Sequence, residues 1–261
     1  MTRTGTRTDI AERLAFFRSS DEFDVSGGVR PAGSDQLAYL EPVEIKSGEA
    51  IGLVFPCGFM TALKCLEAHA SPGGAPGPNV GPRSHMRRLA SRLHDGRSGY
   101  RFFQDARRYP HDADTTALVN AALLMNGDLS ANGRERARGR LLANRLEGGG
   151  FSVWLEHEAA NRPAIRDAVV DMNVAGALAL LSDDKADRAL LESAAAEAIT
   201  ACERAASGYY RNLPFVRYVA GLWFRLMHLP DVVHSAPWTL DDFRGQIVFQ
   251  HSDGAIGYLA R

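Results

Sequence analysis

A chain of 261 residues is long enough to bury a sizeable core as one generous domain or two small ones. With 45% hydrophobic residues, 23% charged residues and a formal net charge of −1, its composition is that of an ordinary soluble globular protein. That balance excludes an acidic disordered chain and lacks the basic footprint of a nucleic-acid binder.

In chain order, the opening MTRTGTRTDIAERLAFF has no apolar run of secretory-signal length. No later stretch approaches the ~20 apolar residues that span a bilayer. Cys57, Cys65 and Cys202 are odd in number and far apart, so neither a disulfide framework nor a zinc site is expected. A cytoplasmic protein without a transmembrane segment is the expectation. Ala11–Phe17 reads as a first helix, and Glu44–Phe55 is the best strand candidate. A small-residue-rich apolar helix begins near Pro56, and residues 71–82 (SPGGAPGPNVGP) form a loop. Further apolar segments begin near Asp112, Asp171 and Tyr218, with Asn126-Gly127 ending the second and Gly148-Gly149-Gly150 marking another break. Between them, residues 83–95, 130–145 and 187–206 are more charged and have one apolar stripe each.

The apolar segments recur every 47–59 residues, which predicts inner helices alternating with charged outer ones. Counting Ala11–Phe17 first and Gly254–Leu259 last brings the inner helices to six. The expected architecture is all-α: an α/α toroid (α6/α6 barrel) formed by a single domain over residues 1–261.

The densest polar segment is Tyr109-Pro110-His111-Asp112-Ala113-Asp114-Thr115-Thr116, just before an apolar helix. A helix start needs one capping Asp. A second Asp two residues on places a pair of carboxyls at the top of an inner helix, facing an apolar interior. A carboxyl in apolar surroundings keeps its proton.

This segment resembles the DxDTT form of the DxDD motif of class II terpene cyclases, as found in drimenyl-diphosphate-type members. The surrounding chain, about residues 50–230, is similar to the prenyltransferase/squalene-cyclase repeat family. Gly99-Tyr100-Arg101-Phe102-Phe103 resembles that family's aromatic-rich stretch, Gly149-Gly150-Phe151-Ser152-Val153-Trp154 its GGFxTW turn, and Asp171-Met172-Asn173 its later Asp/Asn helix start. The resemblance implies an α/α barrel and protonation-initiated cyclisation of a linear prenyl diphosphate of farnesyl or geranylgeranyl type. Asp114 would be the general acid, and Asp112, with Thr115 and His111, would position or recharge it. A carbocation is stabilised by aromatic faces. Phe102, Phe103, Trp154, Tyr209, Tyr210, Tyr218 and Trp223 are the main candidate walls.

Of 30 basic residues only Lys46, Lys64 and Lys185 are lysines. Arginine forks suit diphosphate oxygens. Arg101, Arg107 and Arg108, flanking the motif, are the preferred clamp, with Arg211 and Arg217 as a second option. Mg2+ is the one cofactor such a substrate would call for, and no protein metal site is expected. Asp183-Asp184-Lys185-Ala186-Asp187 spells DDxxD, but its place between two apolar runs reads as a loop and a helix cap. The expected partner is a small isoprenoid. Two other readings stay open: cyclisation of a prenylated substrate without diphosphate, and a non-catalytic toroid holding a lipid or peptide.

Overall fold

The structure is a computed structural model. It describes residues 40–44, 50–54, 57–70, 86–87, 90–91, 94, 96–97, 99–101, 111–155, 164–182, 184–204, 206–207, 210, 213–230, 248–250 and 256–258. The expected helix at Ala11–Phe17 and the 71–82 loop lie outside these residues.

The described chain is mainly helical, with six helices and three two-stranded antiparallel ribbons. Strands β1 (Leu40–Glu44) and β2 (Ala50–Val54) form a hairpin, pairing Leu40 with Val54 and Glu44 with Ala50. Helix α1 spans Cys57–Ala70. Strands β3 (Tyr100–Arg101) and β4 (His111–Asp112) pair just ahead of helix α2 (Ala113–Met125). Helices α3 (Ala131–Leu142), α4 (Ala168–Leu181), α5 (Lys185–Glu203) and α6 (Leu213–Leu226) follow. Strands β5 (Val248–Gln250) and β6 (Ile256–Tyr258) pair near the end of the chain.

That last ribbon corrects one expectation. Gly254–Leu259 is not a sixth inner helix, because Ile256–Tyr258 is a strand laddered against Val248–Gln250. The segment is too short for a stable helix, and its β-branched and aromatic residues favour the pleat. Of the strand expected at Glu44–Phe55, Ala50–Val54 is β2 and Glu44 ends its partner β1, while residues 45–49 and 55 lie outside the described residues.

Two kinds of helix are distinguished by what they bury. In α2 every residue from Ala113 to Leu123 is buried, and in α4 every residue from Val169 to Ala179. A helix apolar all round belongs in an interior. By contrast, α3 buries Gly133, Ala137 and Leu141, one residue per turn, while Arg136 and Arg140 stay on its other faces. Helix α5 buries Asp187, Leu191, Ala194, Ala195, Ala198 and Cys202, again a single stripe. These two are outer helices.

Packing follows the same division. Helix α1 packs on α2, α2 on α4, α4 on α6, and α6 back on α1. Helix α3 lies across α2 and α4, and α5 across α4 and α6. Gly176 of α4 lets the Trp223 ring of α6 come in against its backbone. A Cβ there would fall 2.3 Å from a ring carbon of Trp223, so α4 and α6 meet over a missing side chain.

Helix α2 stops where Gly127 adopts φ 72°. The Gly127 N–H donates to the Leu124 carbonyl and the Asp128 N–H to that of Leu123, which satisfies the carbonyls the helix leaves open. Helix α6 closes in the same way. The His228 N–H donates to Arg225 and the Leu229 N–H to Phe224, but the left-handed position is held by His228 at φ 53°.

Candidate functional site: a buried carboxyl between two inner helices

The site is built where α2 and α4 begin side by side. Asp112 is the cap of α2, with backbone φ −121° and ψ 154°, and its Oδ1 accepts from the Thr115 N–H at 2.6 Å. Asp167 is the cap of α4, and its Oδ1 accepts from the Val169 N–H at 2.9 Å. Asp171, the expected start of that helix, instead lies within its first turn.

The Gly-rich turn before Trp154 ties these two starts together. The Ala113 N–H donates to the Val153 carbonyl at 2.8 Å, and the Leu155 N–H donates to that of His111 at 3.0 Å. The Phe151 N–H donates to Asp171 Oδ1 at 2.6 Å, while Asp171 Oδ2 takes Arg166 Nε at 2.6 Å. Gly150 has φ 73°, and a Cβ there would fall 2.2 Å from Arg166 Nε. Only glycine fits this turn, because the backbone is left-handed and the ion pair presses against it.

Asp114 lies between the two helices and is buried. Its Oδ1 accepts from Asn173 Nδ2 at 2.6 Å, and its Oδ2 accepts from the Tyr210 hydroxyl. Asn173 Oδ1 in turn accepts from Trp223 Nε1 at 2.8 Å. Tyr210 is anchored to the α4 cap: its N–H donates to Ser207 Oγ at 2.8 Å, and Ser207 Oγ donates to Asp167 Oδ2 at 2.7 Å. The Tyr210 ring stacks on Phe215, with centroids 6.4 Å apart, and Phe215 tilts against Tyr218.

Four carboxyls therefore share one end of α2 and α4; Asp167 is the α4 cap, and the other three are sorted by their partners. Asp112 accepts a helix N–H, and Asp171 accepts a backbone N–H and pairs with a guanidinium. Both sets of donors favour the charged form, although at Asp171 burial outweighs them and raises the carboxyl above its ordinary value. Asp114 receives a neutral amide and a neutral phenol. Burial drives its proton affinity up to about pKa 7, the Tyr210 and Asn173 bonds pull the other way, and the nearby Asp167 charge adds to the rise.

The other expected site residues are distributed as follows. Thr115 is fully buried beneath its own backbone bond to Asp112, and His111 is half-buried in β4. Trp154 is buried, and its backbone bridges to Asp112. Tyr218 is buried, and its hydroxyl donates to Glu67 Oε1 at 3.1 Å, across from α6 to α1. Tyr210 reaches the acid through its hydroxyl, and Trp223 reaches Asn173 through its indole N–H. Arg101 belongs to β3, and of its side chain nothing is described. Phe102, Phe103, Arg107, Arg108, Tyr209 and Arg211 lie outside the described residues. Arg217 pairs with Glu203 at 3.0 Å. Asn173 is the residue that sequence reasoning left out of the site. Its Asp-x-Asn spacing, two residues after Asp171, parallels Asp112-x-Asp114 and was the available signal.

The DDKAD segment fits a loop and cap better than a cation site. Asp184 Oδ1 accepts from the Ala186 N–H as the cap of α5, and Asp187 takes the Ser182 hydroxyl and Arg138. An open depression of about 490 Å³ lies nearby, at the far end of α4 from Asp114, lined by Asn132, Arg134, Glu135 and Arg138 among others. Both arginines are engaged there, Arg134 with the Leu181 carbonyl and Arg138 with Asp187. Among the described residues, no three His, Cys, Asp or Glu side chains come together as a metal site, and no helix is long and apolar enough to cross a membrane.

Compared with known proteins, the chain matches no family model, no curated protein and no solved structure.

Proposed function

We propose that this chain is a class II terpenoid cyclase: a cytoplasmic enzyme that protonates an alkene of a linear prenyl diphosphate and lets the cation close rings. The observation that carries the reading is Asp114, a buried carboxyl held by neutral partners and loaded with a proton up to about pH 7. The finer proposal of an α6/α6 toroid takes α1, α2, α4 and α6 as inner members; their packing supports the alternation of inner and outer helices, and the count of six rests on the sequence resemblance alone.

The chemistry asks two opposing things of the acid. It must keep its proton in neutral water, and it must leave a tolerable anion once the proton is given up. Burial meets the first demand. The Tyr210 hydroxyl and the Asn173 amide meet the second, because both donate to the carboxylate that remains. In the protonation step the Asp114 O–H bond breaks as the new C–H bond forms from the alkene π pair. The cation then forms within reach of the Asp114 anion, whose charge opposes its own. Mg2+ belongs to the proposal only as a counter-ion that a diphosphate substrate would bring with it.

The test offers farnesyl and geranylgeranyl diphosphate to the purified protein and identifies products by mass spectrometry. Cyclic product is expected, falling away as pH rises through about 7, where Asp114 loses its proton. Asp114→Asn should abolish it. Equal turnover by the variant would sink the acid assignment.

A second reading is a non-catalytic toroid that holds a lipid or peptide. The observation that favours it is the Trp223 ring of α6 seated over Gly176 of α4, where a Cβ would have no room. It predicts ligand binding that survives Asp114→Asn and no product from any prenyl substrate.

A further inference from the structure

The hydrogen-bond chain that ends on Asp114 has a direction. An indole N–H donates and cannot accept. Trp223 Nε1 lies 2.8 Å from Asn173, so the Asn173 atom facing it must be the carbonyl oxygen. That choice fixes the amide, and the NH2 group is left facing Asp114 Oδ1 at 2.6 Å. A proton on Oδ1 aimed at Asn173 would set donor against donor, and one aimed elsewhere would leave the amide only a weakly accepting hydroxyl oxygen. The acid proton is therefore disfavoured on Oδ1. The partner of Oδ2 is a phenol hydroxyl, which can donate or accept.

We propose that Trp223, acting through Asn173, confines the acid proton of Asp114 to Oδ2, in the bond shared with Tyr210. In the neutral state Oδ2–H donates to the phenol oxygen. In the ionised state the phenol O–H donates to Oδ2. One bond serves both protonation states by reversing its direction, while the Asn173 bond keeps its own. Tyr210 and Trp223 are then positioning residues for the acid rather than walls of a cation cage. As a statement about catalysis this rests on the proposed acid role of Asp114; as a statement about where the proton sits, it rests on the donor chain alone.

The support for each member is itself fixed. Tyr210 is held by Ser207, which is held by the α4 cap Asp167. Trp223 is held against Gly176. Among the described residues, the charged groups around the pair are Asp112 at the start of α2, and Asp167 and Asp171 on α4, the last paired with Arg166. The structure shows no cation paired with Asp114 among the described residues.

The experiment reads the carboxyl directly, without substrate. Infrared difference spectra are recorded across a pH titration of the full chain, with Asp114→Asn identifying the Asp114 carbonyl band. Two variants are compared. Tyr210→Phe keeps the stack on Phe215 and removes one hydroxyl. Trp223→Phe keeps a ring over Gly176 and removes the indole donor. With Tyr210→Phe, the carbonyl band should shift to higher frequency, and the titration should move up by about one to two pH units as the anion loses a donor. With Trp223→Phe, the band should split, because Asn173 can then turn its oxygen to Asp114 and let the proton sit on either carboxyl oxygen. A Tyr210→Phe spectrum and titration identical to wild type would overturn the proposal, even if the Trp223 variant failed to fold. A single unshifted band in folded Trp223→Phe would also overturn it. Band shifts without any prenyl turnover would retire the cyclase reading and leave the proton assignment standing; turnover without band shifts would do the reverse.

Discussion

Replacing Asp114 by Asn isolates the energetic consequence of burying this carboxyl. The substitution is nearly isosteric. The new amide can present its oxygen to Asn173 and its NH2 to the Tyr210 hydroxyl, so both present bonds have a counterpart. In the folded protein Asp114 titrates at about 7, whereas in an unfolded chain an Asp titrates near about 4. Between those pH values the native state holds a proton that the unfolded state has released. The stability contributed by Asp114 is therefore fully present below about pH 4 and is lost as pH rises through about 7. Three units at about 1.4 kcal/mol each amount to roughly 4 kcal/mol in total, of which about 3 kcal/mol disappears between about pH 5 and about pH 8. The variant has no such contribution. Urea unfolding of both proteins at several pH values should show wild type losing about 3 kcal/mol relative to Asp114→Asn across that window. The comparison cancels every other group that titrates in both chains. Two profiles that stay parallel would refute the reasoning, since they would mean that Asp114 ionises inside the fold as readily as in water.

Two further substitutions test the packing and the caps around it. Gly176→Ala should destabilise by about 1–3 kcal/mol or more, because its Cβ would fall 2.3 Å from the Trp223 ring; urea unfolding gives the magnitude, and a changed indole near-ultraviolet circular dichroism signal should accompany it. A variant as stable as wild type, with an unchanged indole signal, would contradict the α4–α6 contact. His228→Gly should stabilise by about 0.5–1 kcal/mol, since an exposed residue at φ 53° gives way to the one that tolerates it; a lower thermal midpoint would show that the His228 side chain does something at that turn beyond occupying it.

What could be read from the sequence divides along local and non-local lines. The end of α2 at Asn126-Gly127 was legible because a left-handed glycine is a local requirement. The single apolar stripes of α3 and α5, and the cap at Asp184, were legible for the same reason. The start of α4 was not. Asp167 and Asp171 are both reasonable caps by composition, and it is the extended backbone at Asp167 that decides between them. The site shows the same limit more sharply. Asp112 and Asp114 stood out as one dense motif, but the partners of Asp114 come from 59 and 96 residues away. From sequence alone, Tyr210 and Trp223 read as aromatic faces for a cation. The described structure engages their hydroxyl and N–H instead, and no periodicity distinguishes those two uses of one side chain. Asn173 went unchosen because an amide carries no charge to attract notice.

Asp114 is also hard to account for as architecture. Asp112 already caps α2, and Thr115 supplies the N–H that it needs. A second carboxyl in that turn, sealed from water, costs the fold about 4 kcal/mol at alkaline pH relative to an acid-stable neutral state. An Asn would satisfy Asn173 and Tyr210 without that cost. Buried, strained or destabilising groups persist where the surrounding structure over-determines them, and they concentrate at functional sites. Here the surroundings do over-determine it. Gly176 admits the indole, the indole orients Asn173, and Asp167 with Ser207 delivers Tyr210. Three separate segments of the chain are spent on holding one carboxyl with a proton on a chosen oxygen. That expenditure has no structural return, because the α2 start is complete without it. It has a chemical one, because a dry carboxyl with a located proton is the equipment that protonating a carbon–carbon double bond requires.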